Sequence, residues 1–211
     1  GKTEEEVYKR LKLSFIPPEM RESRGEVEAA SKNNIPNLVE LGDIKGDLQM
    51  HSKYSDGSNT ISEMADAAGK MGYEYMAISD HSKSQRIAHG MDSGQIRKQW
   101  KDIEKYSGRI KILKSAEIEI LPNGELDYPD SILKRLDFVT VAIHSRFKSD
   151  EKEMTERILR ALGNRYVHML AHPSGRLIGK REPYKADFDR IFKFAAENNK
   201  LMEINADPQR L

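Results

Sequence analysis

From Ile44 onward the chain alternates between short apolar runs and longer stretches whose apolar residues recur every three or four positions. The runs are IKGDLQMH, YEYMAISDH, IKILKSAEIEI, FVTVAIH, VHMLAH and LMEIN, and they predict six strands. Between them, ISEMADAAGKMG, SGQIRKQWKDIEKYS, DEKEMTERILRALG and KADFDRIFKFAAENN predict helices. In the last of these, Phe188, Ile191, Phe192 and Ala195 follow helical spacing. Strands alternating with helices predict parallel βαβ units. Parallel strands buried on both faces also explain why most runs are continuously apolar.

The first run behaves differently. In GDLQMHSKYSDG, Leu48 and Met50 alternate with Asp47, Gln49 and His51, and Ser55-Asp56-Gly57 supplies turn chemistry. A carboxylate, an amide and an imidazole thus share one face, with Asp56 just beyond. The last polar residues of the six runs are His51, His81, Glu117, His144, His172 and Asn205, spaced 30, 36, 27, 28 and 33 residues apart. Each gap is about one βα unit, roughly 30 residues. In a parallel barrel such strand ends converge on one mouth. Neutral imidazole and carboxylate suit Zn, Mn or Fe, and a carboxylate such as Glu117 can bridge two ions.

Each residue alone has a plainer reading. A strand-end His ordinarily makes a surface or half-buried hydrogen bond, Asp56 forms turns without any metal, and Glu117 can be solvated. The recurrence at one topological position carries the weight. His168 lies at the N-terminal end of its run and reads as structural, His89 in QRIAHGMD reads as a loop residue, and Trp100 with Ile96 and Ile103 reads as core.

Residues 1 to about 42 lack this rhythm. Thr3 and Glu6 fit a capping box, and Val7, Tyr8 and Leu11 fit a short amphipathic helix. Ile16-Pro17-Pro18 breaks that pattern, and a charged stretch leads to Ile35-Pro36. The expected division is a tail and linker over 1–42, packed against a main domain over 43–211.

Composition narrows the choice of function. With 211 residues, 37% hydrophobic and 33% charged, the chain can bury one substantial core under a charged surface. Lys+Arg 35 against Asp+Glu 34 gives +1, so any nucleic-acid binding rests on local patches. The absence of cysteine excludes disulfides and thiolate metal sites and fits a reducing compartment. No apolar run approaches about 18 residues, so no membrane partner is expected and the cytoplasm is the default. An opening without Met, in mid-helix character, reads as a piece of something longer.

The motifs DLQMHSKYSDG, ISDHSKS, AEIEILPNGELDYPD, AIHSRF, AHPSGRLIGKREPY and EINADPQRL together resemble the PHP (polymerase and histidinol phosphatase) superfamily. More narrowly, the chain looks like the PHP domain at the C-terminus of bacterial and archaeal family X DNA polymerases. AHPSGRLIGKR and EINADPQRL are the specific stretches, and FIPPEMRESRGEVEAA is similar to the segment joining thumb to PHP in that group. The resemblance covers essentially the whole chain. It implies an α/β fold, a distorted (β/α)7-type barrel holding up to three Zn or Mn ions. His51 and Glu117 match ligands of one site, Asp56 and His81 ligands of a second. Glu117, His144 and His172 match a third, with Glu117 bridging. The catalytic set so implied is His51, Glu117, His144 and His172.

Two departures stand out. Gln49-Met50-His51 replaces a common His-x-His, implying a softer first site or one filled partly by Asp47. The chain also stops at Leu211, after the sixth strand, without the late Asp-x-His and seventh strand of the superfamily. The activity implied is a 3′–5′ exonuclease and 3′-end phosphoesterase on DNA, single-stranded or gapped, in repair, with the polymerase core of the same polypeptide as partner. Arg146 and Arg176 follow ligand positions and are expected near the mouth as phosphate contacts, with Lys83, Lys180 and Arg181 left open. Two rivals stand beside this reading. One is a small-molecule phosphatase of the histidinol-phosphate kind, disfavoured by the thumb-like linker and EINADPQRL. The other is a non-catalytic module supporting the polymerase, disfavoured by the retained His and Glu set.

Overall fold

The six apolar runs form six parallel strands in the computed structural model, which describes residues 1–210. By their internal contacts the residues fall into two units, Gly1–Ile44 and Lys45 onward.

The first unit contains α1 (Glu4–Arg10) and α2 (Glu26–Ser31). Thr3 caps α1 by accepting the Glu6 N–H, while the Glu6 carboxylate reaches the Lys2 N–H at 2.6 Å. Three glutamates in the first turn and Lys9 and Arg10 in the last complement the helix dipole. Val7 and Leu11 remain exposed, so capping and charge define this helix, with no apolar face buried. Arg21 ties the unit together, donating to both Glu4 oxygens and to the Ile16 carbonyl while lying over the Tyr8 and Phe15 rings.

The second unit runs β1 (Gly46–Met50), α3 (Ile61–Lys70), β2 (Tyr75–Ile78), α4 (Ser93–Lys105), β3 (Lys111–Glu119), α5 (Asp130–Leu133), β4 (Phe138–Ala142), α6 (Glu151–Leu162), β5 (Met169–Leu170), α7 (Phe188–Glu197) and β6 (Leu201–Met202). The strand order is strictly sequential, β1 to β6, and every pair is parallel. A doubly wound sheet reverses its order at a switch point. Without a reversal, right-handed crossovers place every helix on the same side and the sheet curls into part of a barrel. This matches the expected distorted barrel with six strands.

Side-chain caps start the long helices. Thr60 with Glu63 and Asp92 with Gln95 form reciprocal capping boxes on α3 and α4, and Asp150 and Asp187 cap α6 and α7. Between β3 and β4 the sequence predicts no helix, and the structure has only the single turn α5 behind Pro129. Four residues are too few to display a period.

The core lies between strands and helices. Met76 and Ile78 pack with Ile61, Ala65 and Ile103, while Ile118, Val139, Val141 and Leu170 pack with Ile132, Met154, Ile158 and Ile191. Fully burying each large apolar side chain contributes about 1.5–3 kcal/mol. Trp100 belongs to this core, with the Arg135 guanidinium 4.7 Å from its ring centre. Strand β1 is only partly buried along its length, which accounts for its alternating pattern. Its pairing with β2 also shifts register between Asp47 and Met50. The Ser79 hydroxyl fills that irregularity, accepting the Met50 N–H at 3.0 Å and donating to the Leu48 carbonyl at 3.2 Å.

Candidate metal centre

The parallel sheet delivers one polar side chain per strand to a common end. His51, His81, His144, His172 and Asn205 follow their strands, and Glu117 lies within the longer β3, its backbone bridged to His81. With Gln49, Asp56, Gln85, Ile87, Ala88, Phe147, Arg181 and Arg210 they line a cavity of about 620 Å³.

Glu117 is its centre and is 2% exposed. Its Oε1 lies 2.8 Å from His172 Nε2 and 3.0 Å from His144 Nε2. Its Oε2 lies 3.3 Å from His51 Nε2 and 3.6 Å from His81 Nδ1, and accepts the Gln49 amide at 2.7 Å. Asp56, more exposed, approaches His51 Nδ1 at 3.3 Å and His81 Nε2 at 3.6 Å. The four imidazoles form a row, with successive ring centres 4.4, 5.2 and 5.2 Å apart. Two three-ligand groups result, His51–His81–Glu117 and Glu117–His144–His172, each with donor atoms within 4.8 Å of one another.

The loop from His51 to Gly57 is fixed from below. Buried Asp80 accepts the Ser52 N–H (2.6 Å), the Ser52 hydroxyl (2.5 Å), the Ser55 hydroxyl (2.6 Å) and the Gln99 amide (2.7 Å). The Gly57 N–H returns to the Ser52 carbonyl, and a Cβ at Gly57 would lie 2.1 Å from the His51 carbonyl oxygen. Only glycine closes that turn and brings Asp56 back to the rings.

His144 and His172 are oriented by groups behind them. Glu119 accepts His144 Nδ1 at 2.8 Å, the His144 N–H at 3.1 Å and the Ser145 hydroxyl at 2.7 Å. Glu119 thereby holds the Nδ1 proton and turns Nε2 toward Glu117 and the cavity, the nitrogen a cation would take once its proton is lost. Arg157, 3% exposed, pairs with Glu119 at 3.3 Å and donates to the Ile120, Leu121 and Ser145 carbonyls. His172 has φ +30°, a region that favours glycine, and its N–H is held by Glu203 at 2.6 Å. Such backbone strain, of order 1–3 kcal/mol, persists where the surroundings over-determine it.

Electrostatics follow from this crowding. Burial pushes the Glu117 carboxyl up, but hydrogen bonds from His144, His172 and His51 outweigh it and hold it well below the usual range. Burial pulls His144 down, yet Glu117 and Glu119 lift it to about 9. Burial, with the charges of His51 and His144, keeps His81 below its ordinary value despite Glu117.

The donor set suits a cation. His51 Nδ1 and His81 Nδ1 are buried without a hydrogen-bond partner among the described residues, although carboxylate oxygens lie within 3.6 Å. Each buried nitrogen therefore lacks a hydrogen-bond partner beside a carboxylate, the environment in which a cation could be taken up. Four imidazoles converging on one buried carboxylate make a nitrogen–oxygen set that fits Zn, Mn or Fe.

The other predicted residues divide. Gln49 reaches the cavity, and its NH₂ holds Glu117 while its oxygen is buried without a partner. Asp47 is absent from the lining, since its carboxylate accepts the Gln49 N–H at 2.8 Å where β1 shifts register. Lys83, Arg146 and Arg176 are exposed and do not line the cavity. Arg146 adopts φ +58°, and Arg176 borders a neighbouring cavity of about 450 Å³. Lys180 is likewise exposed, donating to Gln209, whereas Arg181 does line the cavity. His168 accepts the Val139 N–H at 2.9 Å and has a structural place, and His89 is exposed in a turn. Sequence reasoning missed Glu119, Asp80, Glu203 and Arg157. Only Glu119 left a signal, two residues beyond Glu117 and so on the same strand face.

Comparisons with known proteins agree with this geometry. The family model described as PHP domain matches residues 47–207. The "DNA polymerase/3′-5′ exonuclease PolX" of Bacillus subtilis (strain 168) is 45% identical over 212 residues, covering 99% of this chain and 37% of that protein. A protein named "Probable phosphatase" from Acetivibrio thermocellus is 32% identical over 151 residues, covering 70% of this chain and 58% of its own length. One from Thermoanaerobacter sp. (strain X514), also named a probable phosphatase, is 32% identical over 152 residues with the same coverage. The chain thus spans 37% of the first of these relatives and 58% of the other two.

Proposed function

We propose that this chain, which belongs to the PHP domain family, is the phosphoesterase unit of a family X DNA polymerase and hydrolyses DNA in the 3′–5′ direction from 3′ ends, single-stranded or gapped. The observation that carries this reading is Glu117, a buried carboxylate shared by two three-ligand groups. We assign His51, His81 and Asp56 to one end of the cluster and His144 and His172 to the other, with Zn or Mn as cofactor and up to three ions. Such ions, when bound, supply Lewis acidity that brings a water near neutral pKa and offsets charge on phosphoryl oxygens.

The chain's own groups hold the arrangement. Glu117 spans both groups, and Gln49 fixes its Oε2. Glu119, backed by Arg157, keeps His144 Nε2 turned toward the cavity. Asp80 pins the loop that carries Asp56, and Glu203 pins His172. We also infer that residues 1–42 are the linker from the polymerase core of the same polypeptide, with the phosphoesterase domain following. A cytoplasmic setting belongs to the same proposal. No described helix is long and apolar enough to cross a membrane.

The test is degradation of 5′-labelled DNA by the Mn- or Zn-loaded protein. Shortening from the 3′ end should appear, stop with chelator, and fall about 100-fold or more in Glu117→Gln. Intact DNA under these conditions refutes the proposal. The phosphatase names of the relatives at 32% identity favour a second reading, hydrolysis of a small phosphomonoester. Phosphate release from such esters with DNA untouched would select it.

A further inference from the structure

The cavity mouth carries two cations that meet no carboxylate among the described residues. The side-chain hydrogen bonds of Arg181 and Arg210 go to carbonyls, from Arg181 Nε to Gly175 at 2.7 Å and from Arg210 Nη1 to Arg176 at 3.5 Å. Both side chains nevertheless line the cavity that holds the His and Glu cluster.

Arg181 is held rigidly. Its guanidinium carbon lies 3.9 Å from the Phe147 ring centre, and Phe147 is backed by Tyr184, Phe188 and Phe192 in a continuous aromatic stack. Paired backbone hydrogen bonds of 2.8 Å between Leu177 and Arg181 close the turn that presents it. Gly175 makes room, for a Cβ there would lie 2.7 Å from the Tyr184 ring and 3.3 Å from Phe147. The Nε–H is used on Gly175, leaving both terminal nitrogens to donate elsewhere. Burial and the charge of Arg210 depress the Arg181 guanidinium. An anion between the two would relieve that repulsion. Around them the rim is apolar, formed by Phe147 and by Ile87, which is 93% exposed. Cations interleaved with an aromatic and an aliphatic face suit a nucleic-acid strand, whose backbone is anionic and whose bases have apolar faces.

We propose that Arg181, stacked on Phe147, and Arg210 form an anion subsite for a backbone phosphate next to the one that reacts, so that the site takes a nucleic-acid strand in preference to a small phosphomonoester. This rests on the phosphoester-hydrolase reading above and names the residues that would select a strand within it. It also moves the phosphate contacts away from Arg146 and Arg176.

The experiment uses the whole chain, with Arg181→Ala, Arg181→Lys and Arg210→Ala. Binding of a fluorescein-labelled single-stranded oligodeoxynucleotide is followed by anisotropy in chelator over a range of NaCl. Each alanine variant should weaken binding about tenfold. Each should also lower the slope of log K against log[NaCl] by about 0.7, the value for one phosphate contact on a single strand. Arg181→Lys should keep the slope but lose affinity, because the charge stays while the stacked fork goes. With metal-loaded protein, the ratio of kcat/KM for the oligonucleotide to that for p-nitrophenyl phosphate should fall about tenfold in the alanine variants. Unchanged affinity and slope would overturn the subsite. So would equal losses on both substrates, which would place the arginines on the reacting phosphate itself. If Arg181→Ala fails to fold, the other two variants carry the test. If the wild type hydrolyses neither substrate, the functional reading fails while the anisotropy still decides the subsite.

Discussion

Replacing Arg157 with methionine keeps a long side chain of similar shape but removes the charge and every donor. Three carbonyls, of Ile120, Leu121 and Ser145, lose a hydrogen bond, and Glu119, 5% exposed, loses one of its two cationic partners and keeps only His144. Breaking one side of a buried ion pair costs about 3–5 kcal/mol. That is a large part of the ~5–15 kcal/mol that holds a domain folded. At about 2–4 °C per kcal/mol for a chain of this size, the Tm should drop by about 6–20 °C. Thermal and urea unfolding of the metal-free protein measure it. Adding Glu119→Gln removes the buried charge left short of a partner and should recover about 1–4 kcal/mol. Metal affinity should not recover with it, because Glu119 orients the His144 ring, and losing such a partner costs about 10–100-fold. A single variant that loses less than about 1 kcal/mol, or a double variant no more stable than the single, would refute the reasoning.

Glu117→Gln should strip metal from both ligand groups by elemental analysis, whereas Gln49→Ala, which removes one hydrogen bond to Glu117, should lose less; equal losses would contradict the shared role of Glu117. Asp80→Asn places an NH₂ among four donors and should cost about 1–3 kcal/mol in urea unfolding, with weaker metal binding at the His51 end. His168 accepts the Val139 N–H on Nδ1, and burial together with Lys200 holds it below its ordinary value. Its contribution is therefore complete above about pH 6.5 and is lost as pH falls through the depressed value. The stability gap between wild type and His168→Leu should narrow on acidification; a gap constant with pH would rule this out.

The sequence by itself determined the strands, the long helices and the six strand-end positions. Periodicity and capping are local properties, and residues such as Thr60 and Glu63 or Phe188 and Ile191 act within a turn or two of one another. A spacing of about one βα unit then suffices to put His51, His81, Glu117, His144 and His172 at one end of a parallel sheet. The family resemblance supplied the grouping of those residues into metal sites.

Only the tertiary structure decided the rest. The register shift between Asp47 and Met50 belongs to the pairing of two strands, and it falls where Gln49 reaches the cavity and Asp47 does not. Asp80 meets Gln99, Arg157 meets Glu119 and His172 meets Glu203 across 19, 38 and 31 residues of sequence, and no local pattern records such partners. The arginines make the same point. Arg146 follows a candidate ligand by two residues yet turns outward in a left-handed backbone, while Arg181 follows His172 by nine and lies on Phe147 at the cavity mouth. Nearness along the chain fixes reach but not direction. Direction comes from the backbone of the turn and from the ring the guanidinium packs against.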